Sequence, residues 1–240
     1  MITERILLMG PPAAGKTFQV LQVYQYLIEQ GIQCHIIDLE DKMEAAISGS
    51  DLPLPEKFDV TLSWEDYAAA VDSISLPPNS WIFVDRIDLS WSMIQRWFTQ
   101  QKYGEELSTR LLKKSQGLKK SSMFIPTFDQ GSWQVINENY ESTMLKLLYR
   151  SRCNALMTCG IKGIDEDNPL DVFAHLGVTA RGQKELPHQP HSVFLLSVKK
   201  RGRDLSWHIT TAKDLKNRVW FDNDDCYDFY LQYVAEHWKP

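Results

Sequence analysis

Arg5-Ile6-Leu7-Leu8-Met9-Gly10-Pro11-Pro12-Ala13-Ala14-Gly15-Lys16-Thr17 is the stretch that decides the architecture. Its first five residues form an apolar run of strand length, and Gly10 breaks it. From Lys16 the period changes: Val20, Leu21, Tyr24, Leu27 and Ile28 recur at spacings of three and four. That pattern predicts an amphipathic helix, which Gly31 closes as a C-terminal glycine does. Between strand and helix, Gly10–Thr17 matches GxxxxGK[ST] in full. Small residues there let backbone N–H groups curl around a polyphosphate, and the helix N-terminus adds the positive end of its dipole.

Outward from this core the chain alternates short apolar strands with amphipathic helices. Cys34-His35-Ile36-Ile37 runs into the acidic cluster Asp38-Leu39-Glu40-Asp41. A loop at Leu52–Pro55 leads to a β-like run at Asp59–Leu62. Ser63 then reads as the N-cap of a helix over Trp64–Ile74, with Asp66 completing a weak capping box. Pro77-Pro78-Asn79 precedes the strand Trp81-Ile82-Phe83-Val84, which ends at Asp85. Helical patterns near Ser90–Gln101 and Asn137–Arg150 flank a stretch poor in periodicity. Strands return at Ala155–Thr158, Ser192–Val198 and Leu205–Thr211, the last two joined by a tight turn at Lys200–Arg203. This order predicts an α/β fold, a mainly parallel twisted sheet flanked by helices, with antiparallel strands at its C-terminal edge. One domain over residues 1–240 is expected, with about 222–240 a C-terminal helix whose apolar face is Tyr227, Tyr230, Leu231, Val234 and Trp238.

Composition narrows the class of partner. Among 240 residues, 26 basic and 31 acidic side chains give a net charge of −5, so a nucleic-acid partner needs a local patch rather than a global field. No apolar run approaches the roughly 20 residues of a membrane span, and no basic leader precedes a long apolar stretch. The four cysteines show no CxxC spacing and are expected as reduced thiols in a cytoplasm.

The loop assigns chemistry to specific side chains. Gly10, Pro11, Pro12, Ala13, Ala14, Gly15, Lys16, Thr17 and Phe18 are the expected nucleotide contacts. Lys16 would reach the β- and γ-phosphates, and the Thr17 hydroxyl would ligate Mg²⁺. Trp81–Asp85, four apolar residues ending in a carboxylate, suits Asp85 to hold the same Mg²⁺ through a water. A strand-ending Asp alone is more often a cap; its pairing with the loop favours the metal role. Hydrolysis also needs a group that activates water. The Gly-Pro-Pro opening looks like that of AAA+ ATPases, which place a Glu straight after this Asp. Here Arg86 stands there instead, and the C-terminal third is strand-rich where their lid is helical. Glu40, ending the second strand at the phosphate-binding edge, is the available carboxylate; its plainer reading is an exposed acidic loop residue.

Ile37-Asp38-Leu39-Glu40 resembles the strand-end Asp-x-Glu of RecA-like ATPases, whose Glu activates water. The wider order is similar to RecA-like ATPases of bacteriophages related to single-strand-annealing recombinases. Shared features are the loop, the Asp-x-Glu strand, a helix before the Trp81–Asp85 strand, and a Trp-led helix at Trp133–Arg150 feeding a strand at Ala155–Thr158. Terminal strands and a basic Lys-x-Arg element complete the series. The resemblance spans about residues 3–221 and lies in motif order more than in identities. It implies a RecA-like P-loop fold, ATP and Mg²⁺ as cofactors, and hydrolysis through Lys16, Glu40 and Asp85. It further implies that Lys216 and Arg218, with Lys213 as the alternative, reach a neighbouring subunit's γ-phosphate in a homo-oligomeric ring or filament. DNA, single-stranded in particular, is the implied partner, in recombination or replication within a cytoplasm, the host's if the chain is viral.

Leu107–Phe128 contains no acid but carries Arg110, Lys113, Lys114, Lys119 and Lys120, the best local candidate for phosphate-backbone contacts. Ser115-Gln116-Gly117 is expected as a mobile loop within it; a solvated face is the plainer alternative. Lys199-Lys200-Arg201-Gly202-Arg203 reads as a solvated hairpin turn, and His188-Gln189-Pro190-His191 as a loop rather than a metal site. Two other functions stay open: a nucleoside or nucleotide kinase, because Asp85-Arg86 looks like the Asp-Arg of thymidylate kinases, and a nucleotide-dependent assembly module without useful turnover.

Overall fold

The structure, a computed structural model, describes residues 3–118, 127–164, 173–201, 204–226 and 229–238. Its centre is an eight-stranded sheet. The strands are β1 (Arg5–Met9), β2 (Cys34–Asp38), β3 (Lys57–Val60), β4 (Trp81–Asp85) and β5 (Asn154–Cys159). A two-stranded ribbon follows, β6 (Ile161–Gly163) and β7 (Val178–Ala180), and then β8 (Ser192–Arg201), β9 (Asp204–Asp214) and β10 (Asp222–Asp225). The order across the sheet is β10-β9-β8-β1-β5-β4-β2-β3. From β8 to β3 every neighbouring pair is parallel, while β9 and β10 add antiparallel at one edge. The expected α/β architecture is therefore the observed one.

Alternation along β1 explains the layers. Leu7 and Met9 face one apolar cluster and Ile6 and Leu8 the other, and all four are fully buried. A strand buried on both faces needs helices on both. One face is covered by α1 (Lys16–Glu29), α2 (Met43–Gly49) and a C-terminal helix around Tyr230–Ala235. The other is covered by α3 (Trp64–Asp72), α4 (Asp88–Tyr103) and α6 (Gln130–Leu145). Between them α5 (Leu107–Leu118) packs against α4.

Several expected elements shift. The Ser63 cap is present, its hydroxyl accepting the Asp66 N–H at 3.1 Å, and α3 ends at Asp72. Where a mobile loop at Ser115-Gln116-Gly117 was expected in a stretch poor in periodicity, α5 continues through those three positions. α6 starts well before Asn137 because the Asp129 carboxylate accepts the Ser132 N–H at 2.7 Å and caps the helix. It continues as a wide, π-type turn over Lys146–Arg150.

The C-terminal helix does not begin near 222. Asp222–Asp225 pairs with β9 as β10, with a register shift between Asp222 and Asp224. The helix is π-type over Tyr230–Ala235; Phe229, Tyr233, Val234 and Trp238 are buried and Tyr230 is half-buried, while Tyr227 and the Leu231 side chain lie outside what the structure describes. The predicted turn at Lys200–Arg203 falls partly outside them too. No helix among the described residues is long and apolar enough to cross a membrane.

Candidate functional site

The loop between β1 and α1 takes its shape from two close approaches. A Cβ on Gly10 would lie 2.6 Å from the Leu196 carbonyl oxygen of β8, so only glycine lets the chain leave β1 there. Gly15 sits at φ +86°, the left-handed region that glycine enters without strain, and no side chain caps the helix behind it. The first-turn amides of α1 are thus left to an anion rather than to a capping oxygen. Lys16 folds over the loop and donates to the carbonyls of Gly10 (2.9 Å) and Pro11 (2.8 Å). Burial, aided by the nearby Arg86 charge, lowers its pKa.

Asp85 ends β4 beside the loop. Thr17 Oγ1 donates to Asp85 Oδ2 at 3.4 Å, and Thr158 on β5 hydrogen-bonds its other oxygen. Burial raises the Asp85 pKa against the Thr158 hydrogen bond, and the neighbouring Asp38 and Glu40 charges push it the same way.

Glu40 reaches the same cavity through its neighbour two residues back. The Asp38 carboxylate accepts four backbone N–H groups, from Glu40 (2.9 Å), Asp41 (3.1 Å), Lys42 (2.7 Å) and Met43 (2.7 Å). These bonds turn the chain sharply after β2, cap α2, and aim Glu40 at the loop. There its Oε1 accepts from Arg86 Nη1 at 2.6 Å, and Lys42 lies 3.4 Å from Oε2. Arg86 in turn grips Asp88 through Nε (3.2 Å) and Nη2 (2.9 Å), which raises its pKa further.

The residues enclose a cavity of about 1140 Å³ lined by the whole Gly10–Gln19 segment together with Glu40, Asp85, Arg86, Arg181 and Trp207. Trp207 on β9 roofs the loop, its indole N–H donating to the Ala13 carbonyl at 3.1 Å. Sequence reasoning missed Thr158, Arg181 and Trp207, and it took Arg86 only as a departure from a pattern. Asp38 gave no capping signal, because it ends β2 and the N-cap position of α2 is Lys42.

The remaining candidates lie elsewhere. Lys216 stands at the opposite end of the sheet, where its ammonium pairs at 2.5 Å with the buried Glu4 that precedes β1. β1 spans about 17 Å at a strand's rise per residue, so Lys216 does not reach its own chain's loop. Arg218 is exposed and adopts φ +58°; Lys213 donates to the His188 carbonyl at 3.1 Å, and burial lowers its pKa to about 8.

In α5, Arg110 stacks 3.5 Å above the Tyr103 ring, donates to the Thr127 carbonyl and lies 3.5 Å from Glu105. Lys113 pairs with Glu105 as well, and Lys114 donates to Thr127 Oγ1 at 3.0 Å. The acid-free window therefore begins just past a carboxylate that holds two of its cations. Lys119 and Lys120 lie outside the described residues.

A parallel sheet whose central strand feeds a complete GxxxxGK[ST] loop into a helix N-terminus defines a P-loop α/β protein. No family model matches the chain. Among solved structures it is similar to a KaiC-like protein of the hyperthermophilic archaeon Pyrococcus horikoshii OT3, at 13% identity and TM-score 0.48 over 90% of this chain and 82% of that one. It is also similar to the RadB recombinase, at 12% identity and TM-score 0.49 over 91% of this chain and 84% of that one.

Proposed function

We propose that the chain is a RecA-like, Mg²⁺-dependent ATPase that acts on single-stranded DNA as a homo-oligomer, in phage-type recombination or replication in the cytoplasm. The observation that carries this reading is the convergence of Lys16, Thr17, Asp85 and Glu40 on one cavity. The residues fit both groups the activity needs. Uncapped first-turn amides and a lysine now satisfied by two loop carbonyls suit a polyphosphate. A hydroxyl and a carboxylate 3.4 Å apart offer the hard oxygen donors that Mg²⁺ takes.

In this mechanism the loop amides and Lys16 hold the β- and γ-phosphates. Thr17 through its hydroxyl and Asp85 through its carboxylate would hold the metal, which would supply charge that offsets that of the phosphates. Thr158 keeps the Asp85 carboxylate oriented. Glu40 accepts the proton of the attacking water as its oxygen bonds to the γ-phosphorus; the bond to the β,γ-bridging oxygen breaks, and ADP leaves with that electron pair.

Lys216 stands at the far end of the sheet from its own loop and Arg218 is exposed, which supports a role at a neighbour's nucleotide. The cations of α5 support DNA contact. α4 runs for about 24 Å between Asp88 and this helix, at a helix's rise per residue, so a bound strand need not block the cavity. A kinase has less support, because Arg86 is anchored through two of its nitrogens on the buried Asp88 rather than open to a small acceptor.

The test is ATP turnover with and without single-stranded DNA, alongside oligomer size by light scattering. Turnover that DNA stimulates and that Lys16→Ala abolishes, in a folded variant, is expected. Undiminished turnover in Lys16→Ala would overturn the assignment, and ADP formation that depends on a mononucleotide would replace it with a kinase.

A further inference from the structure

Arg86 stands where the AAA+ pattern places a carboxylate, and its backbone is unusual. It adopts φ +66°, a conformation that few residues other than glycine take, and its N–H donates to Thr158 Oγ1 at 3.0 Å. The Thr158 hydroxyl is the same one that holds Asp85. The strained turn therefore pins Arg86 to the loop-facing end of β4 and points its side chain into the cavity.

The two ends of the guanidinium have different partners. Nε and Nη2 form a two-point grip on Asp88, whose side chain is 1% exposed. Nη1 makes a single contact with Glu40, whose side chain is 19% exposed. Gly160 leaves room for this arrangement, since a Cβ there would lie 3.3 Å from Asp88 Oδ2 and 3.4 Å from Arg86 Nη2. The Asp88 edge is an anchor and the Glu40 edge faces the cavity. Nη1 occupies an acceptor site on Glu40 Oε1 at 2.6 Å, and that site is closed to a water while the contact lasts.

We infer that Arg86 is a γ-phosphate ligand supplied in cis, whose Nη1 exchanges Glu40 for a terminal phosphate oxygen when a nucleoside triphosphate binds. The inference rests on the ATPase reading above and adds how the base is kept idle until substrate arrives. A phosphate oxygen suits a guanidinium N–H at least as well as a carboxylate oxygen does, and Arg86 and Lys16 line the same cavity. Asp88 keeps Arg86 in place during the exchange. Glu40, released, becomes the free carboxylate that water activation requires. A diphosphate has no oxygen at that position, so with ADP bound Arg86 stays on Glu40.

The test compares binding of AMPPNP and ADP by titration calorimetry in the presence of Mg²⁺, which needs no turnover. Wild type should prefer AMPPNP. Arg86→Ala should weaken AMPPNP by about ten- to a hundred-fold, the range for a lost charged hydrogen bond, and leave ADP unchanged. Arg86→Lys, which keeps the charge, should lose less.

In Arg86→Ala the bare Glu40 charge would by itself repel the phosphate, so the Arg86→Ala/Glu40→Gln double variant is decisive. If it still binds AMPPNP weakly, Arg86 touches the phosphate; if wild-type discrimination returns, the inference is overturned. An unchanged AMPPNP-to-ADP ratio in folded Arg86→Ala, with circular dichroism as the check, also overturns it. If wild type binds neither nucleotide, the ATPase reading itself fails, a different outcome from loss of discrimination alone.

Discussion

Asp38 and Glu40 stand two positions apart in the same acidic cluster, yet their surroundings give them opposite work. Asp38 is fully buried and spends its oxygens on four backbone N–H groups, whereas Glu40 faces the cavity. Glu40→Gln is nearly isosteric and removes only the charge. It should keep ATP and Mg²⁺ binding and cut turnover by about 10²–10⁴, the range for a lost general base, read as steady-state ADP release. Normal hydrolysis in this variant would remove Glu40 from the mechanism. Asp38→Ala should act through the fold instead. Loss of the cap should lower stability by about 1–3 kcal/mol, the cost of leaving buried polar groups unpaired, and should misplace Glu40, so the thermal midpoint and turnover fall together. A normal melting curve with lost activity would mean that Asp38 touches the reaction itself.

Helix α5 and the chain just after β9 show how charge that looks free along the chain is already committed in space. Glu105 holds Arg110 and Lys113, so Glu105→Gln should tighten single-stranded DNA binding and steepen its salt dependence if α5 is the contact. Lys113→Ala/Lys114→Ala should do the reverse, lowering the slope of log K against log salt by about 0.7 per lost contact. Filter binding at several salt concentrations reads both, and two unchanged slopes would return α5 to a solvated face.

Beyond β9 the two basic candidates separate. Lys216→Ala strands the buried Glu4 carboxylate and should lower the thermal midpoint whatever its role in assembly. Arg218→Ala alters an exposed side chain and should leave stability alone. Arg218 is thus the cleaner probe of action in trans. Arg218→Ala should bind nucleotide but turn over slowly, and mixing it with Lys16→Ala should restore part of the activity. Such rescue comes from interfaces that pair an intact loop with an intact arginine. No rescue, with full activity in a monomer, would exclude the trans role.

Helices on both faces of the sheet leave the chain with two apolar cores, and all four cysteines lie buried among them. Burial pushes the Cys34 thiol up to about 12 and the Cys226 thiol up to about 11, so thiolate is scarce as well as shielded. The native protein should therefore react with essentially no equivalents of a thiol reagent at pH 8, and with four once denaturant unfolds it. Rapid native labelling would show that one layer opens independently of the other; Cys226, between β10 and the C-terminal helix, is the site to watch.

The elements legible in the chain are those with a local cause. An apolar run closed by Gly10, Asp38 or Asp85 suffices for β1, β2 and β4, a period of three and four between Gly15 and Gly31 suffices for α1, and the full GxxxxGK[ST] pattern marks the loop between β1 and α1. Where the period is weak, as in α5, the helix escaped the reading, and where the cap is a lone Asp, as at Asp129, its start was placed late. β10 escaped it because Asp222-Asn223-Asp224-Asp225 has no strand pattern of its own and forms only by pairing with β9. The site divides in the same way. Lys16 and Thr17 follow from the motif, because backbone geometry within a few residues places them. The Arg86–Glu40 pair, the Thr158–Asp85 bond and the Trp207 roof over Ala13 join residues 46, 73 and 194 positions apart. No periodicity encodes such contacts. They exist because the parallel sheet brings the ends of β1, β2, β4 and β5 to one edge and folds β9 back over it.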